Sequence, residues 1–170
     1  VPSAPTGTAI IEITPDGDNY IALAHSTETE LASEHVRNAL QQLRAPIVVT
    51  QLDLQPDAVD AVFRHHHAET LIGNLVPHPS LGLTALAPLD LFVSNEAEAA
   101  AILGRHHANP SIAAQELRKL GPRAVVVTAG ARGAAYSDAD HTALVPASHV
   151  KAINTSGAGD ELVHVEDAGR

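Results

Sequence analysis

The sequence predicts an α/β fold, a single three-layer domain in which a Rossmann-like sheet of mostly parallel strands carries helices on both faces. Three observations predict it. The 170 residues fit one compact domain, because domains commonly run from about 50 to 250 residues. Apolar residues make up 45% of the chain, so a buried core can form. Short apolar runs alternate with segments of helical periodicity from residue 33 to 128, which is the pattern of βαβ units.

The first predicted element is a β-hairpin over residues 8–25. Thr8–Thr14 and Asn19–His25 are rich in strand-forming residues, and the segment Pro15-Asp16-Gly17-Asp18 between them is a strong turn signal. The alternation of strands and helices begins only at Ser33. We therefore expect the hairpin to lie off the main sheet.

The α/β core is predicted over residues 33–160. Apolar runs bounded by turn residues predict four parallel strands, near 47–52, 70–76, 90–94 and 124–128. Apolar residues at helical spacing predict four helices, near 34–43, 57–66, 96–103 and 111–120. Ser33 is the expected N-cap of the first helix. Two short apolar segments, Ala134–Tyr136 and Thr142–Val145, favour a second hairpin.

Composition excludes several classes of function. The net charge of −10 disfavours non-specific binding to nucleic acid or to an anionic membrane, because both depend on Lys and Arg. The absence of Cys excludes a thiol nucleophile and a thiolate metal site, and it favours the cytoplasm. No apolar run approaches the roughly 18 residues of a spanning helix. Because Met is absent, we expect the chain to be a processed form or a fragment.

Two histidine clusters and one glycine-containing segment elsewhere in the chain give little indication of a metal or nucleotide site. The runs His65–His67 and His106–His107 are expected to be surface histidines, because adjacent residues do not converge on one metal ion. The segment Val125–Gly133 lacks the G-x-G-x-x-G spacing of a dinucleotide site, and no P-loop motif occurs anywhere in the chain.

The strongest local signal is the heptapeptide Asn154–Asp160, NTSGAGD. Its glycines allow a tight turn, and a helix beginning near Asp160 would direct successive N–H groups into one concavity suited to phosphate. The Asp160 carboxylate at the rim could then deprotonate an attacking hydroxyl. From these residues alone, an ordinary glycine-rich loop explains the segment equally well.

The heptapeptide resembles the D-T-x-G-A-G-D signature of the ribokinase-like carbohydrate kinases, also called the PfkB family. Four further segments are similar to family motifs in the same order along the chain, from about Pro5 to Asp160. They read PTGTAIIEITPDGDNYIAL, VPHPSL, LDLFVSNEAEAAAILG and GPRAVVVTAGARGAAYSD. The resemblance implies a ribokinase-like fold in which the hairpin over 8–25 belongs to a lid.

The resemblance also implies an activity, ATP-dependent phosphorylation of a sugar or nucleoside hydroxyl with Mg²⁺. Asp160 would be the catalytic base, and the N–H groups of Gly157, Ala158 and Gly159 would form the anion hole. The residues expected to line the nucleotide site are Thr128, Gly130 and Gly133. Those expected to help place Mg²⁺ and phosphates through water are Asn95 and Glu98. Asp53 falls where some relatives place an acidic sugar contact.

Departures from the family pattern modify these expectations. Asn154 and Ser156 lie where the family binds K⁺, and Asn154 replaces an Asp, so we expect weak or absent K⁺ binding. Val76 replaces the Asn of the family's N-P-A-P segment. Residues 161–170 form an atypical polar tail where the family continues into an apolar helix.

The resemblance covers only the central part of a family member, so we expect both ends of the domain to be missing. The isolated chain should then show little kinase activity, and it should self-associate through an open sheet edge near residues 47–52. The alternative is a catalytically inactive relative that acts, if at all, as a folding or association module.

Overall fold

A computed structural model describes residues 8–14, 19–24 and 31–148 of the chain. The strands are β1 Thr8–Ile13, β2 Asn19–Ala24, β3 Ile47–Gln51, β4 Thr70–Asn74, β5 Leu91–Asn95, β6 Ala124–Thr128, β7 Ala134–Ser137 and β8 Thr142–Val145. The α-helices are α1 Ser33–Gln42, α2 Pro56–His65, α3 Glu96–Leu103 and α4 Pro110–Arg118. Two short 3₁₀ helices lie at Leu83–Leu86 and Gly130–Arg132. The predicted core boundary at residue 160 and the tail 161–170 lie outside the described residues.

Within the described residues, the main sheet has six strands in the order β3-β4-β5-β6-β7-β8. The strands β3 to β6 run parallel, whereas β7 is antiparallel to both β6 and β8. The α/β fold class with a mostly parallel sheet is therefore confirmed, and so is the second hairpin. The sequence did not indicate that this hairpin continues the main sheet at β6.

The first hairpin forms a separate two-stranded sheet, as the sequence predicts. Its register pairs Thr8 with Ala24 and Ile13 with Asn19. Apolar side chains remain exposed on it, including Ile10 at 66% and Tyr20 at 65%. A two-stranded hairpin is marginally stable alone in water, so these side chains are available for contact with something else.

Local sequence accounts for where the helices begin. Pro56 occupies the first turn of α2, where its missing N–H costs no hydrogen bond. Asn95 and Asn109 cap α3 and α4 through side-chain oxygens that accept backbone N–H groups. The prediction for α1 was wrong by one residue: Ala32 is the N-cap, without a side-chain bond, and Ser33 is already helical.

The core lies between the helices and one face of the sheet. Strand pairing places Leu71, Phe92, Val125, Val127 and Ala135 on that face. All five are buried in one cluster with apolar side chains from each of the four helices. Burial of this kind stabilises by roughly 25 cal/mol per Å² of apolar surface removed from water. The described helices account for one of the two predicted helical layers.

Among the described residues, no helix is both long enough and apolar enough to span a membrane.

Candidate functional site

Polar side chains collect where the parallel strands end. Gln51 ends β3, Asn74 ends β4, Asn95 ends β5 and Thr128 ends β6. Strand pairing sets Gln51 beside Asn74 and Asn95 beside Thr128, so all four lie on the sheet face opposite the helical core. Open α/β sheets bind their ligands at the carboxyl ends of the strands. We refer to this row as the carboxyl edge.

Asn95 and Glu98 are locked to each other at the start of α3. The Asn95 backbone N–H donates to Glu98 Oε2 over 2.9 Å, and its side-chain Nδ2 donates to Glu98 Oε1 over 2.8 Å. The Glu98 N–H donates in return to Asn95 Oδ1 over 2.9 Å, which completes a capping box. An ionised carboxylate has about four lone-pair sites, so Glu98 can still accept bonds from waters that hydrate a metal ion.

The segment from Thr128 to Gly133 forms a closed loop beside that helix start. Ala129 N–H donates to the Gly133 carbonyl over 2.8 Å, and Gly133 N–H donates to the Gly130 carbonyl over 3.0 Å. Gly130 has a φ of +54°, and among the described residues other than Gly130 and its two chain neighbours no atom lies within 4 Å of the position of an added Cβ. The backbone at Gly130 is therefore open to the close approach of a ligand.

Arg132 ties this loop to its surroundings. Its Nη2 donates to Glu96 Oε1 in the first turn of α3, and its Nη1 donates to the Ala108 carbonyl over 2.7 Å. Sequence reasoning missed Arg132 and Glu96, because a charged residue in a loop or in the first turn of a helix resembles any solvated charge. The partners are 36 residues apart in sequence, and no local signal connects them.

Asp53 lies two residues beyond β3, and it is exposed. Its neighbour Leu52 connects β3 to the segment after β4: Leu52 N–H donates to the Asn74 carbonyl over 2.9 Å, and its own carbonyl accepts from His78 N–H over 2.8 Å. In that segment Leu75 takes a φ of +71°, a left-handed conformation that is unusual for a residue with a side chain. Asp53 thus stands at the carboxyl edge, next to a strained turn.

Six predicted site residues lie outside the described part of the chain. They are Asn154, Ser156, Gly157, Ala158, Gly159 and Asp160. The structure brings together the other members of the predicted site, Thr128, Gly130 and Gly133 with Asn95 and Glu98, and it places Asp53 at the same edge.

The histidine clusters contribute no shared metal site in the described residues. His65 ends α2, where a basic side chain is favourable. His107 differs from the expected surface residue: its side chain is only 15% exposed, and its Nε2 lies 2.8 Å from Glu116 Oε2. Arg105 bonds the other oxygen of Glu116 and lowers the pKa of that carboxyl, with a smaller contribution from His107.

A cleft of about 810 Å³ lies at the opposite edge of the sheet. Thr70 and Ala124, the first residues of β4 and β6, line it together with Asp90, which bonds Arg123 over 3.0 Å. Its position at the amino ends of the strands separates it from the carboxyl edge. We therefore place the candidate site at the carboxyl edge, where the motif residues meet.

The family described as pfkB family carbohydrate kinase matches residues 1–163. The chain belongs to this family. A ribokinase from Schizosaccharomyces pombe is 30% identical over 168 residues, which cover 93% of this chain and 53% of the relative.

Solved structures of pfkB relatives share the fold. The crystal structure of ribokinase from Thermotoga maritima matches with a TM-score of 0.75 and 25% identity, over 92% of this chain and 53% of that one. The structure of Arabidopsis thaliana ribokinase complexed with ribose and ATP matches with a TM-score of 0.65 and 23% identity, over 94% of this chain and 54% of that one. The chain thus spans about half the length of the relatives it matches.

Proposed function

We propose that this chain supplies the nucleotide-binding and catalytic-base part of a kinase that transfers a phosphoryl group from ATP to a sugar or nucleoside hydroxyl. One observation carries the proposal: Asn95 and Thr128 are paired residues on adjacent strands. Neighbouring strands lie about 4.8 Å apart, so the start of α3 and the loop after β6 share one binding edge. In a member of a carbohydrate-kinase family, that edge suits a nucleotide and its metal ion.

The roles follow from the chemistry of each group. Thr128, Gly130 and Gly133 would hold the nucleotide, since Gly130 leaves the backbone open to a ligand. Asn95 and Glu98 would hold Mg²⁺ through water, where the ion would neutralise phosphate charge. Asp53 would contact the sugar.

The remaining roles fall on the glycine-rich segment. Asp160 would take the proton of the attacking hydroxyl, and the N–H groups of Gly157, Ala158 and Gly159 would stabilise charge on the transferred phosphoryl group. Asn154 and Ser156 would form a weak monovalent-cation site. Positioning and charge stabilisation are most of what phosphoryl transfer requires. The proposed location is the cytoplasm, which the lack of Cys favours.

Glu98→Gln separates the metal role from the structural role of this residue. Glutamine also completes a capping box, so the free energy of unfolding should change by no more than about 0.5 kcal/mol. The carboxylate charge is lost, so the Mg²⁺ concentration needed for half-maximal ATP binding should rise about 10- to 100-fold. Glu34→Gln, an acidic residue in the first turn of α1, is the matched control and should change neither quantity.

The activity itself is tested by following ADP formation with a panel of sugars and nucleosides. We expect substrate-dependent turnover in a version extended to the length of the relatives, and little in the 170-residue chain. Failure of the extended protein to phosphorylate any member of the panel would contradict the proposed function. If ATP binding depends on Mg²⁺ in the same way in Glu98→Gln, Glu98 has only the structural role of capping α3.

The alternative is an association module without activity, which would self-associate through the outer edge of β3. Among the strands that the structure describes, β3 is outermost on its side of the sheet, and Val49 on it is 46% exposed. Exposed edges pair with other chains, and charges on them prevent it. Val49→Lys should therefore shift the chain toward the monomer in light scattering, whereas Ile112→Lys, at a site of 44% exposure on α4, should not. Equal behaviour of the two variants would exclude association through this edge.

A further inference from the structure

Three segments of the chain, two of them in the candidate site, meet at one side chain, Arg132. It ends the 3₁₀ turn of the loop after β6, it bonds Glu96 in the first turn of α3, and it bonds the Ala108 carbonyl one residue before the N-cap of α4. Glu96 directly follows Asn95, and it lies two residues before Glu98, the other member of the capping box. The guanidinium therefore connects the predicted nucleotide loop to the first turn of α3, which also carries the predicted metal-binding pair.

We propose that Arg132 is a positioning residue, which sets the nucleotide loop against the start of α3 by bridging Glu96 and the Ala108 carbonyl. We call this contact the Arg132 bridge. The proposal rests on the proposed function for the role of the two segments, but the bridge itself is a property of the loop. It goes beyond the motif residues, because Arg132 acts through the loop and not on the substrate.

The loop needs an external support. Its own bonds close it as a small ring, with Arg132 N–H donating to the Ala129 carbonyl over 3.1 Å in addition to the two bonds at Gly133. Gly130 and Gly133 in this ring have positive φ, and glycine restricts the backbone least. Strand pairing sets the ends of the loop beside the start of α3, and the internal bonds fix the shape of the ring, but neither holds its 3₁₀ turn against the first turn of α3. The Arg132 bridge is the described side-chain contact that does so.

The geometry suits arginine in particular. Its planar group presents donors in a fixed fork, so two acceptors on different segments can be held at once. The Glu96 side chain is 22% exposed and that of Arg132 50%, so the pair is partly shielded from solvent. Glu96 is also favourable at a helix N-terminus, which keeps the carboxylate where the bridge requires it.

Hydrogen exchange on the 170-residue chain tests the bridge without any nucleotide. Arg132→Gln and Glu96→Gln should each speed exchange of the amides in residues 129–133 by about 10-fold, because each removes the same support. In the double variant these amides should exchange no faster than in either single variant, since the two residues act as one unit. Arg64→Gln breaks a comparable exposed pair on α2, with Asp60 at 2.8 Å, and should leave these amides unchanged.

Binding of MgADP by calorimetry distinguishes positioning from direct phosphate contact. If Arg132 only positions the loop, Arg132→Gln and Glu96→Gln weaken MgADP binding by the same factor, about 5- to 10-fold. Arg132→Lys keeps the charge but not the fork, so it should recover only part of the affinity. Weaker binding in Arg132→Gln together with unchanged or tighter binding in Glu96→Gln would overturn the proposal in favour of a direct phosphate contact.

The two readouts also separate this proposal from the proposed function. Unchanged exchange in residues 129–133 in both variants would overturn the Arg132 bridge, whatever the chain binds. No MgADP binding by the unaltered chain would contradict the nucleotide site, and the exchange data would still decide whether the bridge holds the loop.

Discussion

Replacing Gly133 with alanine should damage both stability and the candidate site. Gly133 closes the loop after β6 with a φ of +97° and a ψ of −143°, a region that residues with side chains rarely adopt. A Cβ at this position would lie 1.8 Å from the Val145 carbonyl oxygen and 2.8 Å from the Ala147 nitrogen. Both atoms belong to backbone, so a rotamer change cannot relieve the overlap. The chain leaving β8, which leads toward residues 154–160, must move.

The magnitude has two parts. The backbone conformation costs an alanine about 1–3 kcal/mol. The displacement of packed backbone adds about 1–3 kcal/mol, the usual range for overpacking. We therefore expect Gly133→Ala to lower the free energy of unfolding by about 2–6 kcal/mol, a large share of the roughly 5–15 kcal/mol typical of native domains.

Gly130→Ala is the matched control in the same loop. Gly130 also has a positive φ, +54°, but its Cβ position is open. It should cost only the conformational part, about 1–2 kcal/mol. The difference between the two variants isolates the contact with the chain after β8.

Urea unfolding followed by circular dichroism measures both variants. With a slope of about 1–3 kcal/mol per molar urea, Gly133→Ala should lower the midpoint by about 1–3 M, and Gly130→Ala should lower it by clearly less. Equal midpoints in the two variants would refute the reasoning, because they would show that Gly133 does not press against Val145.

Three further predictions concern single carboxylates. In a version extended to the length of the relatives, Asp160→Asn should lower kcat by about 10²–10⁴-fold with nucleotide affinity nearly unchanged, measured as ADP formation. Asn154→Asp should strengthen activation by K⁺ in the same assay, and strong K⁺ dependence with Asn154 in place would contradict this. The Tyr136 hydroxyl, aided by the N–H groups of Asp140 and His141, holds the pKa of Asp138 at about 2. The stability that Asp138 contributes is thus present above about pH 3.8 and is lost as the pH falls toward 2, so Asp138→Asn should flatten acid unfolding across that window.

The sequence predicted the parallel strands well because their burial leaves a continuous apolar run. Ala124–Thr128, AVVVT, cannot be an amphipathic helix of that length, and glycine and proline punctuate the chain before it. The same reasoning gave the β7–β8 hairpin but not its place beside β6. Strand pairing depends on tertiary contacts between segments, and nothing in Ala134–Ser137 specifies which neighbour it takes.

The candidate site divides in the same way. Glycines and the Asn95–Glu98 spacing were visible as motifs, although the structure gives the latter pair a local structural role that the motif alone did not suggest. Arg132 could not be found, because its importance depends on Glu96 and Ala108 arriving at one point through the fold. Binding residues that belong to a motif can be recognised in a sequence by their type and spacing. Residues that support them through contacts distant in sequence cannot.

Separate sets of hydrogen bonds hold the start of α3 and the loop after β6, two described parts of the carboxyl edge. The capping box fixes Asn95 and Glu98 using bonds internal to α3, while the loop at Gly130 is held by its ring of backbone bonds and by Arg132. The sequence positions of both sets of contacts fall between residues 95 and 133. A nucleotide site built on these two segments should therefore be measurable in this chain by binding alone. Phosphoryl transfer needs more, because Asp160 and the sugar contacts must be brought into line with that nucleotide. Binding without turnover is the outcome that this division predicts for the 170-residue chain.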